Sequence, residues 1–188
     1  KKSHVSFVIA TGMHSNHTQA EKTALLGDDS VNQYRIIDHN CRRKNDLAYS
    51  GTTSRGTDVY LNKHVINSDK VITIGIAGYH YYAGCNGGRK AIMPGVAGYK
   101  TIQQNHKLVL NPLETGGKNP MASSGILKGN PVHEDMLESA NLLGVDFSIN
   151  LVLDADKNIA GIFAGGMEKS HLRACRELDR LYHVKIKG

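Results

Sequence analysis

The sequence predicts an α/β fold in which a mostly parallel sheet carries helices on both faces. Two observations support this. Five runs are apolar almost without interruption and rich in β-branched residues, and stretches with helix start and stop signals lie between them. A strand with one wet face alternates apolar and polar residues, whereas a continuous apolar run reads as covered on both sides. The arrangement is Rossmann-like, and ligands of such sheets gather beyond the carboxyl ends of the strands.

The strand runs are "VSFVIAT" (5–11), "YRIID" (34–38), "KVITIGIAG" (70–78), "FSINLVLD" (147–154) and "NIAGIFAG" (158–165). The first begins almost without lead-in, as expected of a truncated domain whose sheet starts upstream. "HTQAEKTALLG" (17–27) reads as a helix capped by Thr18 and stopped by Gly27. "GVAGYKTIQQNHKLV" (95–109) reads as a helix starting after Pro94. "PVHEDMLESANLLG" (131–144) opens on proline and closes on glycine, and "GMEKSHLRACRELDRLY" (166–182) is the longest helical stretch. Between them, 111–130 is a polar loop rich in Gly, Pro, Asn and Ser. It is longer than most compact-domain connections and suited to covering a ligand.

With 188 residues the chain can bury an ordinary core without disulfides or metal staples. Its net charge of +6 favours anionic ligands but is dispersed, and the densest basic run, "CRRK" (41–44), lacks interleaved aromatics, which argues against nucleic-acid binding. Three cysteines with no CxxC pair fit a reducing, cytoplasmic setting. No run approaches the roughly 20 apolar residues of a membrane helix, so no membrane association is expected.

Two expected strands end in loops that present histidine: His14 in "TGMHSNHT" and His80 in "YHYYAG". Imidazole titrates near neutrality, so two of them facing one crevice suit paired acid and base work; the alternative is that each caps a turn. "AGCNGGRK" resembles a phosphate loop through Gly84, Gly87, Gly88 and Lys90. Ala91 follows the lysine, however, so there is no hydroxyl for magnesium, which argues against an ATPase. The glycines can instead admit a cofactor to the backbone, with Lys90 as anion ligand, nucleophile or plain surface lysine. Thr52, Thr53, Ser54 and Arg55 place hydroxyls and a guanidinium in one turn, suited to phosphate or carboxylate, or to nothing more than a polar turn. His106 is a possible metal ligand only if an external cofactor supplies the other donors, since no HxxH, HExxH or CxxC is present.

Taken together, "ATGMH" (10–14), "GTTSRGT" (51–57), "HYYAGCNGGRKAIMPGVAG" (80–98), "TIQQNH" (101–106) and "NPVHEDM" (130–136) resemble the nickel-dependent lactate racemase family of 2-hydroxy acid racemases and epimerases. The sequence departs from the family pattern at "AGYH", where many relatives have proline, and at "CNGG", where a hydrophobic residue and serine are common. The resemblance implies a cofactor of nickel held in pyridinium-3,5-bisthiocarboxylic acid mononucleotide, the nickel pincer nucleotide. It implies that Lys90 binds this group covalently, that His106 completes the nickel coordination, and that His14 and His80 alternate as acid and base while the substrate's α-hydrogen moves as hydride. Thr52, Thr53, Ser54, Gly87 and Gly88 would surround the nucleotide. Residues 1–188 would be a single cofactor-binding domain, or a fragment of a larger two-domain enzyme. The absent N-terminal segment and C-terminal domain would then be its partners, supplying an arginine for the substrate carboxylate. Without catalysis, the same loops would make a nucleotide- or phosphorylated-metabolite-binding module.

Overall fold

In the computed structural model, which describes residues 2–184, the strands form four small sheets. β1 (Ser6–Ile9) pairs in parallel with β2 (Arg35–Asp38) across α1 (Gln19–Leu26) and α2 (Asp28–Gln33). β3 (Leu47–Thr52) and β4 (Asp58–Asn62) make an antiparallel hairpin followed by the short α3 (Lys63–Ile66). β5 (Ile72–Ile76) lies parallel to β8 (Phe147–Leu153), which pairs antiparallel with β9 (Ile159–Gly165). β6 (Tyr79–His80) and β7 (Gly84–Cys85) form a two-residue ladder, followed by a 3-10 turn, Gly88–Ala91. The remaining helices are α4 (Tyr99–Lys107), α5 (Pro131–Leu143) and α6 (Met167–Tyr182).

The mostly parallel, two-sided Rossmann-like sheet expected from the sequence is therefore corrected to an α/β fold of small, mixed sheets. Two physical reasons account for the difference. The linker between β8 and β9 is too short for a crossover: Asp154 Oδ1 accepts from the N–H groups of Asp156 (3.0 Å) and Asn158 (2.8 Å), turning the chain straight back. The apolarity of β5 also lies on one side only. Ile72, Ile74 and Ile76 point outward at 62, 62 and 52 % exposure, and only the other face is covered, over β5 by the Gly88–Ala91 turn and over β8 and β9 by α6. That inner face is partly polar: Thr73 donates to Ser148 Oγ (2.9 Å), and Asn150 Nδ2 donates to Ser148 Oγ (3.2 Å) and Ser170 Oγ (3.1 Å).

Local signals explain the helices. Thr18 and Glu21 form a reciprocal capping box on α1. Asn130 caps α5 by accepting from Val132 and His133, with Pro131 in the first turn and Gly144 left-handed at the end. α4 starts later than the sequence suggests because residues 92–98 are held in tight turns, with Met93, Val96 and Ala97 buried. The main core gathers Leu61, Met93, Ile102, Val132 and Met136; a smaller one, around Val152, Cys85, Cys175 and Leu178, lies between the three-stranded sheet and α6. The long 111–130 segment is tied down at its end, where Gly125 N–H donates to Gly84 O (3.0 Å) and Asn130 Nδ2 donates to Tyr82 O and Ile126 O (both 2.9 Å). No helix among the described residues is long and apolar enough to cross a membrane.

Candidate active site

The β6–β7 turn, the Gly88–Ala91 turn and the last turn of α4 converge. Tyr82 stands between two imidazoles, its ring centroid 4.5 Å from His80 and 5.1 Å from His106, edge-on to both. Tyr81 stacks on His80 at 4.7 Å and meets Tyr82 edge-on at 4.5 Å, so the three rings form a triangle. The charge of Lys90 is felt at both histidines, and its Nζ donates to Asn86 Oδ1 at 3.0 Å.

This pocket favours neutral groups. Burial, then the charge of Arg89, brings the Lys90 amine down to about 8. Burial, followed by Lys90, Arg89 and His106, brings His80 down to about 4. His106 is lowered by burial and then by Lys90. The Ile102 carbonyl one turn back offsets this in part without closing a hydrogen bond, so Nδ1 of His106 is buried and unpartnered. His80 is better satisfied, its Nδ1 accepting from the N–H of Ala83 (3.2 Å) and, more weakly, of Tyr82 (3.5 Å).

His14 arrives by the backbone. Gly95 N–H donates to Lys90 O (3.1 Å), and Gly12 N–H donates to Gly95 O (2.9 Å), so the loop bearing His14 is two hydrogen bonds from Lys90. Its imidazole is exposed.

The glycines pack inward. A Cβ on Gly87 would stand 2.7 Å from Asn150 Oδ1 and one on Gly88 2.8 Å from His171 Cβ; both have positive φ, and Gly88 N–H donates to Asn150 at 2.6 Å. Their bareness fits the turn against β8 and α6.

The hydroxyl turn lies apart from the histidines, on α5. Thr52 donates to Asp58 (2.8 Å), Thr53 to Asp135 (2.6 Å) and Ser54 to Glu138 (2.7 Å), while Arg55 pairs with Glu134. Asp135 is fully buried and also accepts from Thr57 (3.0 Å) and Asn105 (2.8 Å). Replacing Asp135 by alanine strands three donors, and we expect a loss of about 3–5 kcal/mol, read as a lower urea midpoint.

Several important residues escaped the sequence reading. Arg89 is 1 % exposed with no carboxylate partner; Nη2 donates to Ala83 O (2.7 Å) and Nη1 to Cys85 O (3.1 Å), while His171 Nε2, 3.0 Å from Nη1, lies 2.8 Å from Asn86 O. It braces the turn after His80 against the turn bearing Lys90. Ser148 and Asn150, polar residues inside an apolar strand, were the readable sign of a polar inner face. Nothing local marked Asn86 or His171.

The model of the lactate racemase N-terminal domain matches residues 1–117. The chain belongs to the lactate racemase family. It is 34 % identical over 187 residues to the lactate racemase of Thermoanaerobacterium thermosaccharolyticum, covering 100 % of this chain and 42 % of that one. It is 36 % identical over 181 residues to the lactate racemase of Lactiplantibacillus plantarum, covering 96 % and 41 %. The chain thus spans about two fifths of the length of these curated relatives. The structure of the T. thermosaccharolyticum lactate racemase apoprotein superposes with a TM-score of 0.88 at 33 % identity, over 95 % of this chain and 41 % of that one. A Thermotoga maritima protein shares the fold alone, with TM-score 0.76 at 17 % identity over 94 % and 47 %. Family membership agrees with what the motifs implied. Among the described residues no group of three or more His, Cys, Asp or Glu could hold a metal ion.

Proposed function

We propose that this chain is the cofactor-bearing part of a nickel-dependent racemase or epimerase of 2-hydroxy acids, lactate or a related acid. The observation behind this reading is the meeting of His80, Lys90 and His106 around Tyr82. The residues fit the nickel pincer nucleotide. A buried amine lowered to about 8 is partly unprotonated at neutral pH and nucleophilic, as covalent attachment through Lys90 requires, and with Nδ1 of His106 lying against the Ile102 carbonyl the lone pair of Nε2 is left for a metal. When bound, the cofactor supplies a ring that accepts and returns hydride. The chain contributes the attachment point, the metal-facing imidazole and, in His14 and His80, groups to handle the hydroxyl proton. Thr52, Thr53 and Ser54 fit a phosphate poorly because all three hydroxyls face carboxylates; we give that turn a structural part. Three free, buried cysteines suit the reducing cytoplasm.

Intact mass and nickel content of the chain co-produced with cofactor-making enzymes test this. The expected result is one adduct with nickel. Lys90→Ala and Lys90→Arg abolish the adduct, and His106→Ala keeps it while retaining at least tenfold less nickel. An adduct that survives both Lys90 changes defeats the proposal, as does reversible nucleotide binding without adduct, which would favour the binding module. We assign the substrate carboxylate to no residue of this chain and expect little or no racemisation of lactate by it alone; turnover matching a full-length relative would refute that division.

A further inference from the structure

The hydrogen bonds around His80 fix more than its position. A neutral imidazole carries its proton on one nitrogen and offers a lone pair on the other, and the partner of one decides the state of both. Nδ1 of His80 faces two backbone N–H groups, of Ala83 at 3.2 Å and Tyr82 at 3.5 Å. Backbone amides only donate, so Nδ1 must accept. Nε2 forms no hydrogen bond to the described residues. The turn that supplies the amides is rigidly built: Arg89 holds the carbonyls of Ala83 and Cys85, Asn130 holds that of Tyr82, and Gly84 has φ 75° with a Cβ position only 2.4 Å from Ile126 O.

We infer that the Tyr81–Gly84 turn positions His80 as the neutral tautomer protonated at Nε2, so that in the free chain it presents a hydrogen-bond donor there and must change tautomer, giving up the amide contacts to Nδ1, before Nε2 can take a proton. The inference rests on the proposed racemase site and deepens it by making the two histidines inequivalent in the free chain: His14 is exposed and has no such clamp. Tyr81, Tyr82, Lys90, Arg89 and His106 surround His80, and the cations among them oppose the doubly protonated form.

Nitrogen-15 spectra of the labelled chain at pH 7 test this without cofactor or substrate, with the His80 signals identified by their loss in His80→Gln and, should that variant fold poorly, in His80→Asn. The expected pattern is a protonated Nε2, an unprotonated Nδ1, and a scalar coupling across the hydrogen bond from the Ala83 amide nitrogen to Nδ1. A protonated Nδ1, an averaged mixture of tautomers, or an imidazolium overturns the inference. The Lys90 adduct is measured separately by mass, so either claim can fail while the other stands.

Discussion

Between pH 7 and pH 5 the protein is expected to lose roughly 4 kcal/mol of stability, through two histidines outside the proposed reaction. His133 and His171 are 6 and 2 % exposed and lie with ring centroids 6.2 Å apart, beside the buried Arg89. Burial first, then the charge of Arg89, brings His133 down to about 3 and His171 to about 4. The sign follows from proton binding. Below the unfolded value of about 6.5 the unfolded chain binds protons that the folded chain refuses, so stability rises with pH across the window from about 4 to 6.5 and falls on acidification. Each histidine contributes at most roughly 2 kcal/mol by pH 5, a large part of the 5–15 kcal/mol typical of a domain. His39, buried and lowered in the same direction, adds to it. Urea midpoints from pH 7 to 5 give the measurement, and a flat profile over that range would contradict the burial described here.

The second large effect is expected at a residue with no side chain. A methyl group on Gly95 would stand 2.2 Å from Ala91 O, 2.7 Å from Ala91 C and 2.8 Å from Ala10 Cβ. Backbone atoms cannot swing aside as the end of a flexible side chain can, so Gly95→Ala must open the turn. It thereby breaks the Lys90–Gly95–Gly12 hydrogen-bond relay that brings the His14 loop to the Lys90 turn. We expect a loss of at least about 3 kcal/mol, at the severe end of single substitutions, or failure to fold. Gly166→Ala is the control, because no atom lies within 4 Å of its Cβ position and its φ is −58°; as the N-cap of α6 it should lose no more than about 1 kcal/mol. Equal thermal midpoints for the two variants would show the contact at Gly95 to be unimportant.

Residue types and short-range order determined a good deal by themselves. Helix limits at Thr18, Pro131 and Gly144 were legible because such signals are local, requiring only a capping side chain, a first-turn proline or a left-handed glycine beside the helix end. The motif residues His80, Lys90 and His106 were legible as candidates because their types are suited to proton transfer, amine chemistry and metal binding. What depended on the third dimension was decided only by packing. An apolar run such as 72–76 does not reveal whether one face or two are covered, so the parallel, two-sided sheet was expected where the Gly88–Ala91 turn and α6 together cover a single face. The hydroxyls of 52–54 do not announce their partners, and three carboxylates, two of them on α5, claimed them. Arg89 looked like any basic residue in a glycine-rich loop. Its depth, its lack of a carboxylate partner and its grip on two carbonyls exist only once α6 has closed over the turn, because burial and charge proximity are properties of the assembled interior.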